Sequence, residues 1–77
     1  MQIKILGSGC RKCQTLAANA EAALAQAGRT GEVSKVTDFA QIAAYGVMST
    51  PALVIDEKVV TSGKVLSADE IAALMNG

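Results

Sequence analysis

The sequence lacks several residue types on which protein sites are often built. Its 77 residues include no histidine, no tryptophan, one proline and two cysteines. Structural zinc normally takes four cysteine or histidine ligands, so this composition argues against a zinc site within one chain. Phe39 and Tyr45 are the only aromatic residues. A hydrophobic core must therefore be built mainly from alanine, valine, isoleucine and leucine.

The balanced charge and the short apolar runs argue against further classes of protein. Lysine plus arginine number seven and balance seven aspartates plus glutamates, and no stretch combines basic with aromatic residues, so neither nucleic acid nor an anionic membrane is expected as a partner. The longest apolar runs are about five residues, whereas a membrane span needs ~20. The N-terminus also lacks the apolar stretch of a secretory signal. We expect a cytoplasmic protein, and in that reducing compartment a cysteine pair is more often catalytic or metal-binding than a permanent cross-link.

The first half of the chain predicts a strand, a helix and a second strand. Residues 2–6 form a short β-branched run that ends at Gly7. Residues 10–27 contain no proline or glycine and place apolar side chains at three- and four-residue spacing, which indicates a helix that stops at Gly28. Residues 32–36 predict the second strand.

A short second helix is predicted next. Asp38 can cap its start and Gly46 can end it. Phe39, Ile42 and Ala43 are then expected to face the core.

The second half ends in a hairpin and a helix. Residues 52–55 and 59–60 are apolar runs on either side of a turn, in which Glu57 stands where glycine would suit better. Ser67 and Glu70 form a capping box before the last helix. Residues 1–77 thus predict one α/β domain in the order β-α-β-α-β-β-α, with a four-stranded mixed sheet flanked by three helices.

The stretch "GSGCRKC" contains both cysteines. Cys10 is expected at a helix N-terminus, where unpaired N–H groups and the helix dipole favour a thiolate. Cys13 begins the apolar stripe and should be more buried. Two unequal thiols suit disulfide exchange, in which Cys10 attacks and Cys13 resolves the mixed disulfide.

Two other roles are open to this pair. A structural disulfide here would close a loop of four residues, which stabilises a fold by only about 2 kcal/mol in the chain-entropy model. A soft metal such as Cu(I), or arsenic, could bind the same two thiolates. Against copper, small copper-carrying domains have a different order of elements, and glycines and a serine precede Cys10 where those domains usually have methionine.

The segments "IKILGSGCRKC", "VMSTPALVIDEKVV" and "SGKVLSADEIAALM" together resemble the thioredoxin superfamily, in particular its very small redox-active disulfide proteins. The resemblance spans essentially the whole chain and implies a thioredoxin-like fold and thiol–disulfide oxidoreductase activity. It implies that Pro51 is a cis proline beside the cysteines, and that Thr50 offers main-chain contacts to a substrate. Gly9, Thr50 and Pro51 would form the substrate-binding rim, with Met48 and Tyr45 as further neighbours.

The chain departs from the family pattern in three ways: Arg11 and Lys12 separate the cysteines, no tryptophan precedes Cys10, and residue 4 is a lysine. Lys4 occupies the position where typical thioredoxins keep a buried acidic residue, and we expect it to be a solvated strand residue. Residues 61–63, "TSG", fall where glutaredoxins bind glutathione, but here they are expected to form only the turn before the last helix.

The resemblance also implies the partners. Protein disulfides are the expected substrates, and a flavin-dependent, thioredoxin-reductase-like protein is the expected electron donor. Neither a metal nor an organic cofactor is expected, since the Cys10–Cys13 pair is itself the redox group. The protein would act as a monomeric disulfide reductase or electron carrier.

Overall fold

Strands and helices form where the side-chain pattern predicts them. The computed structural model describes residues 1–75. Its elements are β1 (Gln2–Leu6), α1 (Arg11–Ala27), β2 (Glu32–Val36), α2 (Phe39–Ala44), β3 (Ala52–Ile55), β4 (Lys58–Ser62) and α3 (Ala68–Met75). The predicted order of strands and helices is confirmed.

The four strands form one mixed sheet in the order β2-β1-β3-β4. β1 and β2 are parallel, whereas β3 is antiparallel to β1 and β4 is antiparallel to β3. A parallel pair requires a crossover connection, which α1 supplies. Leu6 at the end of β1 pairs with Ala52 at the start of β3. The start of α1 and the segment before β3 therefore lie close together, at the end of the sheet where β1 finishes and β3 starts.

Helices cover both faces of this sheet. Side chains alternate along a strand, so Ile3 and Ile5 of β1 pack in a core shared with α1 and α3, whereas Leu6 packs with Ile42 of α2 on the opposite face. All four residues of β3 are buried, because a central strand is covered on both faces. The predicted α/β sheet flanked by three helices is confirmed.

Local signals set the helix ends. Gly28 ends α1 in the left-handed conformation, with a φ of 65°. Asp38 caps α2 by accepting a hydrogen bond from the Gln41 N–H at 3.2 Å. At α3 the Ser67 hydroxyl accepts from the Glu70 N–H at 3.2 Å, and the Glu70 carboxylate accepts from the Ser67 N–H at 3.1 Å. These are the predicted caps, and they satisfy N–H groups that a helix leaves unpaired.

The prediction for the core face of α2 was partly wrong. Ile42 is buried, but Phe39 is 78% exposed and Ala43 is also exposed. α2 has only six residues, fewer than two turns, so only Ile42 is buried against the sheet.

The hairpin differs from its prediction in its turn and in the length of β4. Its turn consists of Asp56 and Glu57, with φ values of 48° and 68°, which is the pattern of a two-residue turn matched to strand twist. β4 continues to Ser62, which pairs with Ala52. Thr61 and Ser62 are thus strand residues, and the chain turns only at Gly63.

We predict that the packing of α3 on the sheet is a main source of stability. Ile71 is fully buried, whereas Leu74 on the same helix is 45% exposed. Ile71→Ala should lower the free energy of unfolding by about 2–5 kcal/mol, because it leaves a cavity. The matched control Leu74→Ala should lower it by about 1 kcal/mol or less. Urea unfolding followed by circular dichroism measures both values, and equal losses would contradict the assigned faces of α3.

Candidate active site

Cys10 closes the N-terminal end of α1. Its backbone is extended, with φ −66° and ψ 172°, and its Sγ accepts a hydrogen bond from the Cys13 N–H at 3.4 Å. Gly9 has a φ of 85°, a conformation that side chains disfavour, and this residue turns the chain from β1 into α1. The Cys10 sulfur therefore lies at the positive end of a helix, where an anion is favoured.

Cys13 lies one turn further along α1 and is only 3% exposed within the core shared by α1 and α3. Cys10 is exposed, and both residues are free thiols. Their sulfurs are 2.9 Å apart. One thiol therefore faces solvent while its neighbour lies inside the protein.

The surroundings shift the two thiols in opposite directions. The hydrogen bond from the Cys13 thiol, followed by backbone N–H donors, lowers the pKa of Cys10 below its ordinary value. Burial, followed by the hydrogen bond to Cys10, raises the pKa of Cys13. Since the thiolate is the nucleophilic form, Cys10 is the thiol of the pair that can attack first.

Gly7 allows the Cys13 sulfur to lie against the backbone. A Cβ atom at Gly7 would overlap Cys13 Sγ and would lie 3.7 Å from the Cβ of Thr50. The Gly7 N–H donates to the Val36 carbonyl at 3.0 Å, so this backbone is also held by β2. The sequence indicated Gly7 only as the end of a strand. Its contact with Cys13 joins separate elements, so no local pattern could reveal it.

The segment before β3 adjoins the same position. The Thr50–Pro51 peptide bond is cis, Pro51 is buried and Thr50 is exposed. The Pro51 carbonyl accepts from the Gly63 N–H at 2.9 Å. Cys13 and Thr50 thus both lie close to Gly7. Because Gly9 directly precedes Cys10 and Pro51 follows Thr50, the predicted rim residues lie near the dithiol. Met48, two residues before Thr50, is 98% exposed.

Tyr45 does not belong to this rim. Its hydroxyl accepts a hydrogen bond from Lys4 Nζ at 2.9 Å and donates to Glu57 at 3.1 Å. Glu57 lies in the turn that follows β3, whereas Pro51 precedes β3, so the Tyr45 hydroxyl lies towards the opposite end of that strand. The expectation that Tyr45 neighbours Cys10 was therefore wrong, because the bonds of its hydroxyl direct the side chain elsewhere.

Lys4 differs from its prediction as well. Its side chain is only 26% exposed and forms an ion pair with Glu57, so it is not a freely solvated residue. Lys4 alternates along β1 with Ile3 and Ile5, which pack in the core of Cys13. It therefore lies on the opposite face of the sheet and cannot exchange a proton directly with Cys13.

These features define a class of protein. Two free thiols of unequal pKa lie at a strand-to-helix junction, beside a cis proline on an adjoining loop. Such a site can exchange disulfides through its own sulfur atoms. The chain is thus a small α/β domain with one exposed and one buried free thiol at a strand-to-helix junction.

Comparison with known proteins agrees with this class. Residues 1–76 match the family described as Thioredoxin domain. A thioredoxin of Methanothermobacter thermautotrophicus is 34% identical over 76 residues, which cover 99% of each chain. A thioredoxin of Methanocaldococcus jannaschii is 39% identical over 69 residues, which cover 90% of this chain and 79% of that protein. The chain belongs to the thioredoxin family, and this membership supports a function of the thiol–disulfide oxidoreductase type.

Two further observations concern residues 1–75. None of their helices is both long and apolar enough to cross a membrane. In this described part of the chain, no three histidine, cysteine, aspartate or glutamate side chains are grouped so that they could hold a metal ion. Thioredoxins are free of bound cofactors.

We predict that Cys13 controls the ionisation of Cys10. Cys13→Ala removes the hydrogen bond that is the first cause of the lowered Cys10 pKa, so alkylation of Cys10 by iodoacetamide should need a higher pH. Cys13→Ser retains a hydroxyl donor and should shift this pH dependence less. Mass spectrometry across a pH series measures the alkylation rates. An unchanged midpoint in Cys13→Ala would contradict the role of the hydrogen bond.

We also predict that residue 7 must be glycine for full stability, because the Cys13 sulfur occupies the space that a side chain would need. Gly7→Ala should destabilise the protein by about 1–3 kcal/mol, the usual effect of inserting a methyl group into a packed site. In a Cys13→Ala background the same change should have a much smaller effect, because the overlapping sulfur is gone. Urea unfolding of the four proteins completes this double-mutant cycle. An equal loss in both backgrounds would show that Gly7 acts in another way.

Proposed function

We propose that this protein reduces protein disulfides through a mixed disulfide on Cys10. The observation that carries the proposal is the pairing of an exposed thiol of lowered pKa with a buried thiol of raised pKa at 2.9 Å. The Cys10 thiolate attacks one sulfur of a substrate disulfide. The substrate S–S bond breaks, a Cys10–substrate disulfide forms, and the departing substrate thiolate takes a proton from solvent.

The second half of the exchange needs Cys13 to become a thiolate. Burial raises the pKa of Cys13, and so do its hydrogen bond to Cys10 and the negative charge there. Formation of the mixed disulfide removes the charge on Cys10. The hydrogen bond to Cys10 and the negative charge there then no longer raise the pKa of Cys13. The pKa of Cys13 should then fall towards the range in which its proton can leave to solvent. The Cys13 thiolate attacks Cys10 Sγ, the bond to the substrate breaks, and the second substrate sulfur leaves as a thiolate.

One cycle passes two electrons to the substrate and leaves a Cys10–Cys13 disulfide. Two electrons from a donor must then restore the dithiol. We propose a flavin-dependent, thioredoxin-reductase-like protein as that donor, in keeping with the names of the two related thioredoxins. The proposal keeps the sequence-based expectation of a monomer acting in the reducing cytoplasm.

The substrate would bind beside Cys10 on the rim of Gly9, Thr50 and Pro51. Thr50 is exposed, and its neighbour Pro51 is held by the Gly63 N–H. A substrate segment laid along residue 50 could pair with main-chain groups while its disulfide meets Cys10. We propose this rim as the substrate-binding surface.

Variants of the two cysteines test the mechanism. Cys10→Ser should lose at least about 100-fold in the rate of insulin-disulfide reduction, because no nucleophile remains for the first step. Cys13→Ser should also turn over poorly, but it should accumulate a covalent adduct with the substrate that dithiothreitol releases. Ser8→Ala, at an exposed neighbouring position, serves as the control and should retain its rate. Full reductase activity in Cys10→Ser would contradict the mechanism.

A metal titration, combined with the same activity assay, distinguishes the soft-metal alternative from disulfide reduction. Titration of the reduced protein with Cu(I) and with arsenite measures whether either binds one per chain. Tight binding without any disulfide reductase activity would favour a metal carrier and would contradict our proposal. Reductase activity that needs both cysteines supports it.

A further inference from the structure

Three side chains far apart in sequence meet on the α2 face of the sheet. Lys4 Nζ donates hydrogen bonds to Glu57 at 2.6 Å and to the Tyr45 hydroxyl at 2.9 Å, and that hydroxyl donates to the second Glu57 oxygen at 3.1 Å. Lys4 Nζ also lies 5.6 Å from the centre of the Tyr45 ring. We call Lys4, Tyr45 and Glu57 the clasp. It joins β1, the end of α2 and the β3–β4 turn.

The conformation of Glu57 indicates that its side chain matters. Its φ of 68° lies in the left-handed region, which glycine adopts freely and other residues disfavour. A glycine would fit this turn better, as the sequence pattern of such turns indicates. Both carboxylate oxygens of Glu57 are instead used by the clasp. The hydrogen bonds of the Glu57 side chain therefore offset the cost of its disfavoured backbone conformation.

The clasp acts on a short element that leads into the segment before β3. α2 has six residues, and Ile42 is its only buried side chain. Tyr45 is the C-cap residue of α2, and Gly46 follows it with a φ of 78°. Residues 46–51 then lead directly to Thr50 and Pro51. Val47 of this loop packs against the core cluster that contains Ile42, and the bonds to the Tyr45 hydroxyl add a second restraint where the loop leaves α2.

The dithiol is separate from the clasp. Lys4 lies on the face of β1 opposite the core that contains Cys13. Neither Lys4 nor Glu57 is among the causes that shift the pKa values of the two cysteines. A change in the clasp can therefore alter the loop without altering the thiols.

We propose that the clasp positions residues 46–51 and thereby sets the affinity for protein disulfides. This inference rests on the proposed function, because it assigns that loop to substrate binding. Lys4, Tyr45 and Glu57 are positioning residues here: they contact neither the substrate nor the thiols. Reduction of a small disulfide needs only Cys10, and its rate should not depend on these three residues.

Tyr45→Phe is the sharpest test, since it removes one oxygen and keeps the ring. With a protein disulfide such as insulin, KM should rise about three- to tenfold, the change expected when one hydrogen bond of ordinary strength no longer holds the bound geometry. The value of kcat should stay within about twofold, because the thiols are unchanged. With the small disulfide dithionitrobenzoate, the rate should match that of the unmodified protein. Hydrogen exchange of residues 46–50 should become faster.

Two variants serve as comparisons. Glu57→Gly removes the carboxylate but relieves the disfavoured φ, so KM should rise as in Tyr45→Phe without a loss of thermal stability. Gln26→Ala is the matched control. It breaks the 2.7 Å hydrogen bond between Gln26 and Asp69, which joins α1 to α3 on the other layer, and it should leave KM unchanged.

The outcomes separate this inference from the proposed function. If the unmodified protein reduces neither insulin nor the small disulfide, the proposed function fails. If it reduces both, and Tyr45→Phe and Glu57→Gly leave the KM for insulin unchanged, the clasp does not position the loop. An equal fall in both rates would also overturn the inference, because it would place the effect at the thiols or on the whole fold.

Discussion

The hydrogen bond between the Cys13 thiol and the Cys10 sulfur is the interaction on which the chemistry of this protein depends. It spans one turn of α1 and joins a core residue to an exposed one. For it to form, Cys10 must be the N-cap of α1 and the Cys13 sulfur must lie against the backbone of Gly7. The end of β1, the start of α1 and the core beneath them therefore specify one geometry. That geometry makes two chemically identical side chains unequal.

The alternation of side chains along β1 separates this chemistry from a second set of interactions. Ile3 and Ile5 lie in the core of Cys13, while Lys4 and Leu6 face α2. The two faces meet again at the edge of the sheet, where the loop that starts at Tyr45 arrives at Pro51 beside the dithiol. The thiols and the loop of residues 46–51 thus have contacts on opposite layers of the fold. Lys4 illustrates the consequence, since its ammonium group donates to Tyr45 and Glu57 on the α2 face.

Local patterns predicted most of the fold. Glycines at 7 and 28, the caps at Asp38 and Ser67, and the spacing of apolar residues depend on neighbours within about one helical turn, so the elements and their order could be inferred. Phe39 and Tyr45 were misplaced because their positions depend on where a six-residue helix lies on the sheet. Similarly, the role of Gly7 against Cys13 and that of Glu57 in a left-handed turn are tertiary effects. The cysteine pair itself was apparent from the sequence, whereas the residues that adjust it were not.

The most direct test of this account is a site-resolved titration of the reduced protein. Nuclear magnetic resonance of the cysteine Cβ carbons follows each thiol separately as the pH is raised. Cys10 should titrate with a midpoint below the ordinary thiol range and Cys13 with a midpoint above it, as the directions of their pKa shifts require. Midpoints that coincide, or a Cys13 that ionises first, would contradict the central claim that the fold makes Cys10 the nucleophile and Cys13 the resolving thiol.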